Sequence, residues 1–168
     1  DSLEYKVVAE WISEGTAPPS SADRRIEQIT VEPRALKLRP GSRQQLLVTA
    51  RFSDGHREDV TGWVRFESTN SGTASVNERG LVELKGSGEA GITTMYLSKV
   101  DVATVAVPFP NKVREAAFLN ARRNNYVDPP VLDKLRALNI EPSELASDSE
   151  FIRRAYLDST GTLPTAAE

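Results

Sequence analysis

The chain has 168 residues, of which 39% are hydrophobic, 27% charged and 7% aromatic, so it can bury a core but is less apolar than an average globular domain. Its 21 basic and 24 acidic residues give a net charge of -3, and no basic block is dense enough to neutralise several phosphates, which argues against nucleic acid as a partner. The absence of cysteine excludes disulfides, thiolate metal sites and covalent attachment of a c-type haem.

The first predicted element is an amphipathic helix over residues 3–14, with Gly15 as its C-terminal stop. Residues 1–10 lack the basic and apolar regions of a signal peptide, and no apolar run reaches the roughly 18 residues that span a membrane. Any export signal is therefore expected outside this chain. Residues 16–25, rich in proline and small polar side chains, predict a linker and a domain boundary. The apolar stripe of the helix consists of Leu3, Val7, Val8, Trp11 and Ile12.

Residues 26–108 change to an alternating pattern with turn residues about every 8 to 12 positions, which is typical of an all-β sandwich. The pairs Asp54-Gly55 and Arg79-Gly80 suit tight connections between strands. One face of the third strand is expected in the core, namely Leu46, Val48, Ala50 and Phe52. The predicted strands are 26–32, 36–39, 44–52, 57–60, 64–68, 74–76, 81–84, 90–97 and 101–107.

Residues 109–168 return to helical patterns. Asp128 is expected to cap a helix with Pro129 in its first turn, and the apolar stripe of that helix is Val131, Leu132, Leu135 and Leu138. Ser147-x-x-Glu150 predicts a capping box that opens a second helix, with Gly161 as its stop; its apolar residues are Phe151, Ile152, Ala155 and Tyr156. The capping pattern recurs at Thr165-x-x-Glu168, so we expect the domain to continue beyond this chain.

The middle zone resembles a known family. It has an opening V-x-P strand at Val31, a G-x-x-x-x-L turn from Gly41 to Leu46, and a late V-x-x-x-G-x-V hairpin from Val76 to Val82. This combination, followed through DVTGWVRFESTN and ASVNERGLVELKGSGEAGIT, is similar to the bacterial immunoglobulin-like domain of group 2. The resemblance implies a β-sandwich of the kind found in intimin-type and invasin-type surface proteins, where such domains act as rods, spacers or adhesive tips.

The flanks carry a second resemblance. The segment NNYVDPPVLDKLRALNIEPSELASDSEFIRRAYLDSTGTLPTAAE is similar to the start of an uncharacterised domain in large planctomycete proteins that also contain a cytochrome-c-like domain, and EWISEGT resembles the last helix of such a haem domain. The haem-attaching motif is absent, so no haem function carries over. The resemblance implies the order haem domain, immunoglobulin-like insert, uncharacterised domain.

Several residue groups are candidates for chemistry, each with a simpler structural interpretation. The D-x-H-x-E-D cluster of Asp54, His56, Glu58 and Asp59 is a candidate divalent-metal site or, more simply, a solvated hairpin. Asp148, Glu150 and Asp158 are candidate acid/base groups, although Asp148 and Glu150 more simply occupy the first turn of a helix. Arg153 and Arg154 are candidates for anion binding or for pairing with carboxylates, and pairing is favoured because Asp158 is four residues from Arg154. Gly86, Gly88 and Gly91 are interpreted as turn glycines, because a strand and not a helix follows them. A candidate sugar-binding platform comprises Trp63, Phe66, Tyr96 and Phe109.

The sequence therefore predicts a mainly β protein, an immunoglobulin-like β-sandwich with flanking α-helices. Residues 1–25 are assigned to the terminal helix of a preceding cytochrome-c-like domain plus linker, 26–108 to the group 2 sandwich, and 109–168 to the truncated helical start of the uncharacterised domain. The flanking helices need apolar partners, which they find either on the sandwich or in neighbouring domains. The residues concerned are Trp11, Ile12, Leu132, Leu135, Phe151 and Tyr156.

The predicted function is that of a non-catalytic module that spaces or docks domains of a large extracytoplasmic protein, whether periplasmic, secreted or at the cell surface. Its expected partners are neighbouring domains and a surface polysaccharide or another protein, with no nucleic acid, no membrane-spanning segment and no cofactor. No residue is predicted to be catalytic, cofactor-binding or metal-binding. The alternatives are a carbohydrate-binding or cell-surface adhesion module, and an enzyme completed by a missing C-terminal portion.

Overall fold

The computed structural model describes residues 2–16, 18, 20 and 22–165. In this part of the chain it contains ten β-strands and four α-helices. The chain divides into two compact units, residues 1–107 and 108–168. The first unit holds one helix and all the strands, and the second unit is helical.

The first unit opens with helix α1 (Leu3–Ser13), close to the predicted span. The hydroxyl of Ser2 accepts a hydrogen bond from the Tyr5 N–H at 3.3 Å. At the other end, the N–H groups of Gly15 and Thr16 donate to the carbonyls of Ile12 and Trp11, both at 3.1 Å. Gly15 has a φ of 91°, so the predicted glycine stop is confirmed. The apolar stripe of α1 is not buried, because each of its members is more than half exposed.

The strands form three hydrogen-bonded sheets whose orders are β1-β4-β5, β2-β10-β9-β6 and β3-β8-β7. The predicted strands are all present, with ends that shift by up to two residues. One predicted strand, 44–52, is divided at Leu46, whose N–H donates to the carbonyl of Gly80 at 2.9 Å. The division has a topological reason, because the first half pairs with β8 and the second half with β1. The strands are β1 (Ile26–Glu32), β2 (Ala35–Lys37), β3 (Arg43–Gln45), β4 (Leu47–Phe52), β5 (Arg57–Asp59), β6 (Arg65–Ser68), β7 (Ala74–Val76), β8 (Leu81–Leu84), β9 (Gly88–Tyr96) and β10 (Lys99–Val107).

The core of the sandwich consists of the inward residues of these strands. The predicted inward face is confirmed, since Leu46, Val48 and Ala50 are fully buried and Phe52 packs against the core half-buried, whereas Leu47 is 43% exposed. Full burial of each valine or leucine side chain contributes about 1.5–3 kcal/mol. The other fully buried members include Val31, Val60, Val82, Leu84, Ile92, Ala103 and Val107.

The second strand of the sandwich, β2, runs in the same direction as the last, β10. β2 pairs with β10 in parallel, with Ala35 opposite Thr104 and Lys37 opposite Ala106. On the preceding strand, β1, the backbone N–H of Val31 donates to Oδ2 of Asp101, three residues before Thr104 in β10, at 2.9 Å. The chain therefore enters the sandwich at the end where the turn between β9 and β10 lies, and leaves it from the opposite end at Val107.

The second unit contains helices α2 (Glu115–Leu119), α3 (Asp128–Ala137) and α4 (Asp148–Thr160). Its buried residues are Phe118, Leu132 and Leu138, and the guanidinium of Arg136 lies 5.0 Å from the centroid of the Phe118 ring. The short helix α2 was not predicted from the sequence. Its Glu-Ala-Ala-Phe-Leu composition favours a helix, but five residues give almost no periodicity to detect.

Of the two predicted helix caps, the one at α3 is wrong and the one at α4 is confirmed. The prediction that Asp128 caps α3 is wrong, because Asp128 is the first helical residue and Val127 precedes the helix. The carboxylate of Asp128 instead accepts from the N–H groups of Asn124 and Asn125, which ties down the preceding loop. The capping box of Ser147 and Glu150 is confirmed, and Gly161 ends α4 with a φ of 71°. The pattern from Thr165 extends to residues outside the described part of the chain.

The predicted stripes of the second unit are only partly buried. Leu132 is buried and Leu135 is half-buried, whereas Val131 is 48% exposed on the same helix. On α4, Phe151 is 66% exposed and Tyr156 is half-buried. Much of the apolar surface of the flanking helices is therefore open to solvent.

Candidate functional site

The D-x-H-x-E-D cluster forms a hairpin connection. Oδ1 of Asp54 accepts a hydrogen bond from the His56 N–H at 2.9 Å, and Oδ2 lies 3.7 Å from Nε of Arg24. Hydrogen bonds from the hydroxyl and the N–H of Thr61, at 2.6 Å and 2.9 Å, lower the pKa of Asp59 below its ordinary value. No group of three potential ligands is gathered for a metal anywhere in the described residues. These side chains are accounted for by turn geometry.

The carboxylates of α4 are likewise engaged in helix structure. Glu150 belongs to the capping box, and Asp148 lies with it in the first turn, where negative charge is favoured. The expected pairing of Arg154 with Asp158 is wrong, because the guanidinium of Arg154 lies 4.0 Å from Glu150, one turn in the other direction. Both orientations are open to an exposed arginine four residues from either carboxylate, and the Glu-to-Arg order is the better aligned with the helix dipole.

The glycines at 86, 88 and 91 serve close packing and not phosphate binding. A Cβ at Gly86 would lie 2.8 Å from the carbonyl oxygen of Gly72, and Gly88 has a φ of 132°. Gly91 lies within β9, which pairs on both sides. A helix N-terminus, which a phosphate loop requires, does not follow them.

The four candidate aromatic residues do not form one platform. Phe66 and Tyr96 pack against the core of the sandwich. Trp63 lies in a 3-10 turn (Thr61–Trp63) and is 46% exposed. Phe109 belongs to the second unit. A flat row of exposed rings for sugar binding is therefore absent from the described part of the sandwich.

A groove of about 440 Å³ lies on the outer face of the sheet β1-β4-β5. We call it the polar groove, and its lining residues are Gln28, Thr30, Glu32, Thr49, Arg51 and Arg57. They point outward because the alternate residues of β1 and β4 are buried in the core, which leaves an outer side that is polar except for Leu47. The alternating sequence contains this signal, since the residues between the core positions of β1 and β4 are the ones that line the groove.

The strand register orders the polar groove into rows. Gln28 lies opposite Arg51, and Arg51 lies opposite Arg57, so one row across the sheet is amide, guanidinium, guanidinium. The next row places Thr30 opposite Thr49 and Thr49 opposite Asp59, whose carboxylate accepts the hydrogen bonds from Thr61. Glu32 follows two residues further along β1. The groove therefore has a cationic end, a hydroxyl-bearing middle bordered by Asp59, and the carboxylate of Glu32 at its other end.

The two arginines of the cationic end differ in whether a carboxylate lies beside them. The guanidinium of Arg51 lies 3.2 Å from the carboxylate of Glu27, and both side chains are about half exposed. Arg57 is exposed and has no ion pair among the described residues. The direct cross-strand placement of two arginines is unfavourable for the sheet, because like charges opposite one another repel.

A second groove of about 580 Å³ lies in the helical unit, between α2 and the loop after α3. At its edge, Arg114 pairs with Glu141 at 3.0 Å. This hydrogen-bonded pair raises the pKa of Arg114 and lowers that of Glu141. The pair links the start of α2 to the segment after α3, which is a structural role.

The fold is an immunoglobulin-like β-sandwich with flanking α-helices, as the sequence predicts. Residues 25–107 match the family model of the bacterial Ig-like domain (group 2), so the resemblance of the middle zone is confirmed. A comparison with curated proteins finds no match. In the described part of the chain, each helix is too short or too polar to cross a bilayer.

Among solved structures, the chain is similar to domains 5-6 of the S-layer protein SbsC, with 24% identity over 55% of this chain and 48% of that chain and a TM-score of 0.45. Domains 4 and 5 of SbsC give 24% identity, 51% and 53% coverage, and a TM-score of 0.44. An EHEC O157:H7 intimin mutant gives 16% identity, 69% and 67% coverage, and a TM-score of 0.31. The chain thus spans about half of each SbsC fragment, and the likeness is too distant to transfer a function.

Proposed function

We propose that the sandwich is a non-catalytic module that holds neighbouring domains of a larger extracytoplasmic protein apart in a fixed orientation. The observation that carries the proposal is the parallel course of β1 and β2 beside β10, which attaches the preceding and following segments at opposite ends. Nine residues of β10 extend about 26 Å. A sandwich connected in this way sets a separation of about 30 Å between its two attachment points.

The contacts between these strands suit a load-bearing role. The Thr104 N–H donates to the carbonyl of Arg34 at 2.8 Å, and the Leu38 N–H donates to the carbonyl of Ala106 at 3.3 Å. When the two ends of the sandwich are pulled apart, β10 must slide past β2. Hydrogen bonds between parallel strands lie across that direction. They are therefore all loaded at the same time when β10 slides past β2.

The flanks are assigned, within the same proposal, to the end of a cytochrome-c-like domain and the start of the uncharacterised domain of planctomycete proteins. The support is the sequence pattern D-x-x-V-x-x-K-L and F-I-R-R-A-Y-L-D-x-T-G-x-L-P-T in residues 128–165. The exposed apolar residues of α1 and α4 also support it, since such surfaces are typical of contacts with further protein. An extracytoplasmic location follows from this assignment and from the family of the sandwich.

Force spectroscopy of single molecules tests the spacer proposal. The chain has no cysteine, so two introduced cysteines define where force is applied. The first variant carries Glu27→Cys and Ala106→Cys, which pulls the sandwich along its length. The matched control carries Glu89→Cys and Ala106→Cys, which are directly opposed in the β9–β10 pair and unzip it one bond at a time. We expect a clearly higher unfolding force for the first variant; equal or lower force would refute the spacer role.

A further inference from the structure

We propose that the polar groove binds a polysaccharide that carries carboxylates on some of its sugars, with Arg51 and Arg57 holding one carboxylate. This site goes beyond the spacer function. The groove occupies one side of the sandwich, on the outer face of β1, β4 and β5, whereas the spacer role concerns the two ends of β10. A ligand in the groove therefore meets side chains that take no part in the pairing of β2 with β10.

The arginine pair is the first argument. Arg51 and Arg57 are cross-strand partners, and outward side chains at such positions are neighbours at about 5 Å between their Cβ atoms. Guanidinium groups bind carboxylates with parallel hydrogen bonds. One carboxylate placed between the two guanidiniums removes their mutual repulsion and gives Arg57 the partner that it lacks within the described residues.

The remainder of the groove is the second argument. The hydroxyls of Thr30 and Thr49 and the amide of Gln28 offer both donors and acceptors. Glu32 lies about 13 Å from Gln28 along β1, and its carboxylate accepts hydrogen bonds from hydroxyl groups. A continuous polyanion would meet Glu32 as a like charge. The lining therefore fits an acidic sugar at the arginine end followed by neutral sugars.

A peptide fits this surface less well. The backbone groups of β4, the central strand of this face, are hydrogen-bonded to strands on both of its sides, so a peptide lying in the groove would meet the side chains of β4 and not its backbone. The lining also contains no apolar residue, and a peptide would have no pocket in which to anchor a side chain. Because no aromatic ring lines the groove, we expect weak binding that depends on the arginines and on ionic strength.

Affinity electrophoresis of the whole chain tests the proposal. The gels contain hyaluronate, in which uronate and neutral sugars alternate, and the comparison gels contain carboxyl-reduced hyaluronate or poly-glutamate. We expect hyaluronate to retard the migration of the chain, and we expect no retardation by the carboxyl-reduced polymer or by poly-glutamate. Arg51→Gln and Arg57→Gln should each weaken the affinity for hyaluronate about tenfold or more, as expected when a charged hydrogen bond is lost.

The matched control is Arg65→Gln. Arg65 is an exposed arginine on β6, in a different sheet, and its replacement changes the net charge by the same amount. It should leave the retardation unchanged. Equal loss with Arg65→Gln, equal retardation by poly-glutamate or by the reduced polymer, or no retardation by hyaluronate would each overturn the proposal. None of these results bears on the spacer role, which the force experiment measures without ligand.

Arg57→Glu separates binding from folding. Glutamate at position 57 replaces a repulsive cross-strand pair with an attractive one opposite Arg51. We expect the unfolding midpoint in urea to rise while hyaluronate retardation disappears. A variant that is more stable but cannot bind rules out misfolding as the cause of the loss. Retained binding by this variant would overturn the assignment of Arg57.

Discussion

Replacing Asp101 by alanine should destabilise the sandwich far more than the loss of an ordinary surface ion pair would. The carboxylate accepts hydrogen bonds from the Val31 N–H at 2.9 Å, the Arg34 guanidinium at 2.7 and 2.9 Å, and its neighbour, the Val102 N–H, at 3.0 Å. Its side chain is 14% exposed, whereas that of Arg34 is 63% exposed. Asp101 thereby joins β1 to β10 at the point where neither strand bonds to the other through its backbone.

The magnitude follows from these partners. Val31 is fully buried, so its N–H loses its acceptor without gaining water, at a cost of about 1–3 kcal/mol. The ion pair with the exposed Arg34 adds about 0–1 kcal/mol. The expected loss in the free energy of unfolding for Asp101→Ala is therefore about 1–4 kcal/mol. Asp101→Asn keeps one acceptor for the Val31 N–H, and its loss should be about half as large.

The assay is urea unfolding followed by the fluorescence of Trp63, in a Trp11→Phe background because the chain has two tryptophans. Arg34→Ala is the matched control and should cost no more than about 1 kcal/mol. If Arg34→Ala destabilises the sandwich as much as Asp101→Ala, the buried N–H of Val31 is not the source of the stability, and the reasoning fails.

The same residue has a pH signature. Partial burial acts to raise the pKa of Asp101, but the hydrogen bonds from Val31, Arg34 and Val102 outweigh it, so the pKa lies below the ordinary value of 3.8. A carboxyl whose pKa is lower in the folded state contributes its full stability above the unfolded value. That contribution is lost as the pH falls from about 3.8 through the lowered folded value. Asp101→Asn should therefore flatten the acid limb of the stability profile, and an unchanged limb would contradict the assignment.

Three further changes test the packing. Gly80→Ala should cost about 1–3 kcal/mol, because its φ is 75° and the added Cβ would lie 2.9 Å from the ring of Phe66; an unshifted urea midpoint would contradict this. Leu84→Ala should cost about 2–5 kcal/mol since Leu84 is fully buried, whereas Leu47→Ala, at a 43% exposed site, should cost much less in the same assay. Ser147→Ala should destabilise α4 by about 1 kcal/mol, and the amides of its first turn should then exchange faster. Ser147→Asp should keep the cap and with it the slow exchange.

The sequence was sufficient to predict the sandwich because its signals are local. Alternation along residues 44–52 identified the buried face, and the glycines at 15, 80 and 161 marked ends and turns that require a positive φ. The break at Leu46 could not be predicted in the same way. It arises because the chain passes from one sheet to another there, and a bond to Gly80 is a long-range contact with no local pattern.

The polar groove illustrates the same limit at the level of a site. Arg51 and Arg57 are close in sequence, and a hairpin between them was predicted. Whether they oppose each other depends on register, since a shift by one residue would place Arg57 on the other side of the sheet. Gln28 and Glu32 join them only through the pairing of β1 with β4, across about twenty residues of intervening chain. A list of charged residues could not have indicated that these side chains line one groove.

Stability and binding make opposite demands at position 57. At most positions of β1 and β4 near the groove the choice of residue suits the sheet, with apolar residues inward and the hydroxyls of Thr30 and Thr49 and the amide of Gln28 outward. The opposed arginines are the exception, because an acidic residue at 57 would pair with Arg51 and strengthen the sheet. A residue that weakens its own sheet is expected where a ligand compensates for it. The combination of raised stability and lost binding in Arg57→Glu is therefore the outcome that separates a site for an acidic ligand from an incidental pair of surface charges.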